Sequence, residues 1–195
     1  MEKFNIFVLH SLNADTLEMW GQDVKEIFIN KGVDVFLPEF PIRVESTYEK
    51  FKDILQSYLN NGQLNNDSIV IAHSIGNPYF IRFCKEMNFI PKSYIAVAPG
   101  AVYEYPSTRN DYIVAVKKQA YLTADSLEFV KNKLENKYCF YSDEDDNNLE
   151  KFTRFIEDTG CNSVYLKGYN HFDGRHRIYK IPELIELIEK LMEQN

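Results

Sequence analysis

The chain has 195 residues, 45% of them hydrophobic and 26% charged, enough for one well-buried core and the balance of a globular rather than a disordered protein. Its formal net charge of −7 would repel phosphates, and its longest basic runs are Lys117-Lys118 and Arg175-His176-Arg177, which argues against a nucleic-acid partner. Three scattered cysteines, Cys84, Cys139 and Cys161, offer neither a disulfide framework nor zinc spacing, and no apolar run is long enough for a membrane span.

Met1-Glu2-Lys3 leads straight into an apolar segment without the pattern of a secretory signal, so the expectation is a cytoplasmic protein, one domain over residues 1–195. Strand and helix patterns alternate from end to end, the signature of an α/β fold with a mainly parallel sheet. Phe4 to Leu9 is a first buried strand. Leu17, Trp20, Val24, Ile27 and Phe28 then fall at helical spacing, and Gly32 suits a left-handed C-cap. Val33 to Leu37 reads as a second strand, stopped by Pro38 and Pro41.

Tyr48, Phe51, Ile54, Leu55, Tyr58 and Leu59 mark an amphipathic helix capped by Ser46 or Thr47. Ser68 to Ala72 is a central strand followed by a helix from about Ile75, and Tyr94 to Val97 is the fourth strand. Residues 99–122 mix polar and aromatic side chains without a clear period. Asp125 or Ser126 caps a helix expected to run to about Asn136, and Tyr138 to Tyr141 is the fifth strand. Leu149, Phe152, Phe155 and Ile156 form a helix stripe before Gly160, Ser163 to Leu166 is the sixth strand, and a last helix starts around Pro182.

The chemistry-bearing signal is Ile69-Val70-Ile71-Ala72-His73-Ser74-Ile75-Gly76: a buried strand, then small-x-Ser-x-Gly, then a helix. This is nearly the G-x-S-x-G nucleophile elbow, whose tight turn exposes the serine hydroxyl above a sheet and needs small residues on either side. Ala72 stands where the first glycine is usual, and Pro78 falls in the first helical turn, where its missing N–H is tolerated. The Ile75 N–H would sit at the helix N-terminus, facing a developing oxyanion. Ser74 could equally be an ordinary helix cap, so its partners must decide.

A nucleophilic serine needs a base and an orienting acid, here in the chain order Ser, Asp, His. The fifth strand leads into Ser142-Asp143-Glu144-Asp145-Asp146-Asn147-Asn148, and the sixth into Lys167-Gly168-Tyr169-Asn170-His171-Phe172. Both loops follow the carboxyl ends of strands, where open α/β sheets bind ligands. The first strand ends in His10-Ser11-Leu12, a turn that would place a second oxyanion N–H at Leu12, or at Ser11, with His10 structural.

On these residues the chain resembles the small serine hydrolases that include retinoblastoma-binding protein 9 and the bacterial YdeN-like hydrolases. Their pattern appears here as His10-Ser11 with Trp20, Ala72-His73-Ser74-Ile75-Gly76, Ser142-Asp143-Glu144-Asp145 and Gly168-Tyr169-Asn170-His171-Phe172. The resemblance implies a minimal α/β-hydrolase fold with strand order 2-1-3-4-5-6 and no large cap. It selects Asp145 as the acid, while alignment on Leu149 selects Asp146, and Asp143 stays open.

The expected activity is therefore that of a serine hydrolase acting on a small-molecule acyl substrate, with Ser74, Asp145 and His171 catalytic, Ile75 and Leu12 as oxyanion donors, and no cofactor or metal. Three other readings stand beside it. One is a non-catalytic binding protein on a hydrolase scaffold, favoured by Ala72 and Ser11 at glycine positions. A nucleotide or flavin protein lacks a glycine-rich phosphate loop after the first strand. A metallohydrolase would use His171, Asp173 and His176. The aromatic residues Tyr103, Tyr105, Tyr112 and Tyr121 are expected to overhang the site.

Overall fold

The apolar runs of the sequence pair side by side into one parallel sheet. The computed structural model describes residues 4–99, 116, 118–143 and 149–193. Among them are the strands β1 (Asn5–Leu9), β2 (Asp34–Phe36), β3 (Ser68–His73), β4 (Ser93–Val97), β5 (Asn136–Tyr141) and β6 (Asn162–Tyr165). They lie in the order β2-β1-β3-β4-β5-β6, the expected one. Leu9 is level with Ala72, Ala72 with Ala96 and His73 with Val97, so the carboxyl ends of three central strands form one edge. Every residue of β1, β3 and β4 is buried, as their uninterrupted apolar character requires of strands covered on both faces.

The helices that flank the sheet include α1 (Trp20–Ile29), α2 (Tyr48–Asn60), α3 (Gly76–Met87), α4 (Ala124–Lys133), α5 (Leu149–Thr159) and α6 (Pro182–Glu193). Alternation along the strands divides them between two cores. Ile6, Val8, Ile69, Ile71, Ile95 and Val97 pack with Trp20, Val24 and Phe28 of α1 and Leu184, Ile188 and Leu191 of α6. Phe7, Leu9, Val70, Ala72 and Ala96 face the opposite way, toward α2, α3 and α4. The α5 helix joins both cores, through Phe152 on one side and Phe155 on the other. No helix among the described residues is long and apolar enough to cross a membrane.

Local signals settle most of the ends. Gly32 and Gly160, at φ 79° and 66°, close the turns after α1 and α5 in the left-handed region that costs glycine little. Thr47 caps α2, accepting from Lys50 N at 3.4 Å, so the cap is Thr47 rather than Ser46. Leu17 lies not in α1 but in a separate 3₁₀ turn, Asp15–Glu18. The cap position of α4 is Thr123, ahead of both Asp125 and Ser126, and the helix stops at Lys133 instead of reaching Asn136. There the backbone turns extended because Asn136 is already in the sheet, level with Ser93. Most of the span 99–122, including Tyr103, Tyr105 and Tyr112, lies outside the described residues.

Candidate active site

Between β3 and α3 the chain turns within two residues. Ser74 carries φ 51°, a left-handed conformation unfavourable for any residue with a side chain, and its N–H donates to the Val97 carbonyl at 3.0 Å. The turn is tight because α3 runs close under the end of β1. A Cβ on Gly76 would lie 3.0 Å from the carbonyl oxygen of His10 and 3.2 Å from that of Leu9. Ala72 is different: it sits fully buried within the strand, level with Leu9 and Ala96, where a methyl group is accommodated. The loss of the first glycine therefore leaves the turn intact.

The elbow is braced from behind. The fully buried Asn77 donates through Nδ2 to the carbonyls of Ser74 (3.1 Å) and Val97 (3.2 Å), and its Oδ1 accepts from the hydroxyl of Tyr94 at 2.8 Å. An unpaired amide there would cost about 1–3 kcal/mol, and the three bonds remove that penalty.

The loop after β6 brings His171 over this turn, with its Nε2 2.9 Å from Ser74 Oγ. Asn170 and Phe172, on either side of it, adopt φ 50° and 55°, so the base is presented from a sharply folded loop. Buried side chains from elsewhere hold that loop by its backbone. Ser142 Oγ accepts from the N–H groups of Tyr169 and Asn170, both at 3.1 Å. The ring N–H of Trp20 donates to the Phe172 carbonyl at 2.9 Å, and His73 Nε2 lies 2.8 Å from the His171 carbonyl.

The acidic loop is described as far as Asp143; Asp145 and Asp146 lie outside the described residues. Asp143 faces the start of the histidine loop, where its Oδ1 accepts from Gly168 N at 3.3 Å and from the Ser142 hydroxyl at 3.3 Å. A hydrogen bond from Tyr165, helped by these donors, holds its carboxyl below the usual carboxylate range.

The turn after β1 is stitched to the segment after β2. Phe40 N–H donates to His10 Nε2 at 2.8 Å, so the His10 proton is on Nδ1 and points to the Ser11 carbonyl at 2.6 Å. His10 is thus a structural clamp, as expected. Arg43 N–H donates to the Leu12 carbonyl at 3.1 Å. Among the described residues no acceptor takes the N–H of Leu12 or of Ile75. A cleft of about 740 Å³ opens against His10, lined by Leu17, Phe40, Pro41, Ile42 and Val44, with Glu18, Glu39, Arg43 and Glu45 around them.

His171, Asp173 and His176 do not form a metal cluster; no such group occurs among the described residues. Asp173 is instead a buried counter-ion, 2.6 Å from Arg175 Nη2 and 2.8 Å from His176 Nδ1. Burial opposes its ionisation, but these partners outweigh burial and hold its carboxyl below the usual range.

No protein-family model matches the chain, and no curated protein matches it in sequence. Solved structures do. The ydeN gene product of B. subtilis superposes with a TM-score of 0.82 at 15% identity, covering 98% of this chain and all of that one. The fold is that of an α/β-hydrolase. Other similar structures are Est1E from Butyrivibrio proteoclasticus with ferulic acid bound (TM-score 0.70, 13% identity, 98% of this chain and 88% of that one) and a monoacylglycerol lipase from Paleococcus ferrophilus (TM-score 0.69, 12% identity, 98% and 95%).

Within this α/β-hydrolase frame, the sequence pointed to Ser74 and His171 separately and the fold brings them together. Asn77, the anchoring role of Ser142, and Thr16, whose hydroxyl lies 2.8 Å from His73 Nδ1, were not legible. Ser142 and Trp20 stood inside recognised motifs, and a lone amide on the apolar stripe of α3 was the available signal for Asn77.

Proposed function

We propose that the protein is a serine hydrolase that cleaves small acyl esters through an acyl-enzyme intermediate. The observation that carries the reading is the 2.9 Å approach of His171 Nε2 to the Oγ of Ser74, on a residue held at φ 51° between a strand and a helix. A serine that only capped α3 would have no reason to meet an imidazole from a distant loop.

In the reaction, Ser74 Oγ attacks the ester carbonyl while His171 Nε2 takes its proton. The imidazolium then gives that proton to the departing alkoxide, leaving Ser74 acylated. Water, deprotonated by the same nitrogen, attacks the acyl-enzyme, and the proton passes to Ser74 Oγ as the acyl–oxygen bond breaks and the acid is released. The N–H groups of Ile75 and Leu12 serve as the oxyanion hole. An acid in the 143–146 loop orients the ring through Nδ1, and Asp145 is the assignment. The chemistry asks for neither metal nor organic cofactor.

The test is turnover of a p-nitrophenyl ester series together with labelling by a fluorophosphonate probe. Wild-type protein is expected to do both, and Ser74→Ala neither. Probe labelling of Ser74→Ala, or a wild type inert in both assays, overturns the reading.

A further inference from the structure

His73 is fully buried, and the reaction just described leaves it without a part. Its ring is fixed at both nitrogens: Nε2 lies 2.8 Å from the His171 carbonyl oxygen and Nδ1 2.8 Å from the Thr16 hydroxyl. A carbonyl oxygen only accepts, so Nε2 carries the proton. In the neutral ring Nδ1 then accepts from Thr16, and Thr16 thereby selects the tautomer that can reach His171. The indole of Trp20 stands edge-on against the same ring, 5.8 Å between centroids.

We propose that His73 is a positioning residue for the base. It hangs the His171 backbone from the end of the strand that carries the nucleophile, so that the two reacting side chains are referenced to adjacent residues. The inference rests on the reading of Ser74 and His171 as nucleophile and base.

The physical need is plain from the loop. Residues 167–173 form no strand or helix, three of them (Gly168, Asn170 and Phe172) have positive φ, and the backbone bond from Phe172 N–H to the Tyr169 carbonyl at 2.9 Å closes a single turn without tying it to the rest of the fold. Its backbone is instead taken up by buried side chains from three elements. Ser142 takes the N–H groups of 169 and 170, His73 the carbonyl of 171, and Trp20 the carbonyl of 172. Of these anchors His73 alone holds the base's own peptide. A displacement of about 1 Å at a reacting atom costs on the order of 100-fold in rate.

The test compares His73→Leu, His73→Gln, Thr16→Val and Thr16→Ser with wild type on p-nitrophenyl acetate. Each rate is normalised to the folded fraction by circular dichroism. His73→Leu is expected to lower kcat on the order of 100-fold with KM within about 2-fold. His73→Gln, whose terminal N–H can reach the same carbonyl, should recover most of the loss. Thr16→Val should lower kcat by a smaller factor, and Thr16→Ser should not.

The pH profile supplies a readout that simple destabilisation does not move. The kcat/KM of His73→Leu should depend more steeply on hydroxide concentration than that of wild type, because the misplaced base no longer supplies the proton transfer. A folded His73→Leu with wild-type kcat overturns the proposal. Should that variant not fold, a folded His73→Gln that is as slow as a misplaced base predicts, or a Thr16→Val indistinguishable from wild type, overturns it equally. Turnover by Ser74→Ala would instead overturn the nucleophile reading, leaving the two failures distinct.

Discussion

The side-chain amide of Asn77 donates to the carbonyl oxygen of Ser74 at 3.1 Å, reaching back across the turn that gives Ser74 its positive φ. The same amide also holds Val97, and Tyr94 holds the amide, so one buried network fixes the nucleophile's backbone. Asn77→Ala should lower the unfolding free energy by about 1–3 kcal/mol, since it removes three side-chain bonds and strands the buried Tyr94 phenol, while the carbonyls of Val97 and Ser74 keep the backbone N–H groups of Ser74 and Asn77. Tyr94→Phe should cost about 1 kcal/mol. The double variant should cost less than the sum, because both changes break one network. Urea denaturation measures all three.

Gly76→Ala sets a methyl group against two backbone carbonyls, those of His10 and Leu9. Neither can yield freely, because His10 is clamped by Phe40 and β1 is a central strand. Alanine's better helix propensity offsets part of the strain, so the expected loss of stability is only about 1 kcal/mol. Activity should fall further, at least about 10-fold, since the displaced His10 carries the Leu12 turn with it. Parallel denaturation and ester-hydrolysis measurements separate the two effects.

The carboxylate of Asp143 is already engaged by Gly168, Ser142 and Tyr165. Asp143→Asn is therefore expected to change kcat by no more than a few-fold. Asp145→Asn should lower it on the order of 10⁴-fold, the cost of the wrong imidazole tautomer. A collapse in Asp146→Asn with Asp145→Asn active would move the assignment by one residue.

Glu86 ties α3 to α2 through Tyr48 and Lys52, and Arg82 one turn earlier in α3 pairs with the same carboxylate. Burial by itself would raise its pKa, but the bonds from Lys52, Arg82 and Tyr48 outweigh it and hold the group down to about 2. A carboxylate depressed in the folded state contributes stability above its unfolded value of about 4.3 and loses it as pH falls toward 2. The side chain is a third exposed, so after screening the contribution is on the order of 1 kcal/mol. Glu86→Gln should lose that amount at pH 7 and show a flatter decline between about pH 4.5 and pH 2 in denaturant titrations.

Local chemistry was readable where one residue's requirement decides the backbone. The continuous apolar run of Ser68 to Ala72 marked a central strand because only a strand covered on both faces tolerates it. Gly32 and Gly160 marked turns for the same kind of reason. The start and end of α4 were misplaced because Asp125 and Ser126 are as good caps as Thr123 in isolation. Only the pairing of Asn136 with Ser93 says where the strand must already have begun.

From the sequence alone came the α/β alternation, the Ser74 elbow and the two loops that could supply its partners, since strand and helix periods and small-residue turns are local properties. The strand order was reached through a resemblance of motifs, and the sheet bears it out. Only the tertiary structure decided that His171 reaches Ser74, that Asp143 is occupied elsewhere, and that His73, Asn77 and Ser142 are the pieces that hold the turn and the loop. Those relationships join residues far apart in the chain. A side chain shows from its own sequence neighbourhood that it can donate or accept, but not which distant backbone group will be waiting for it.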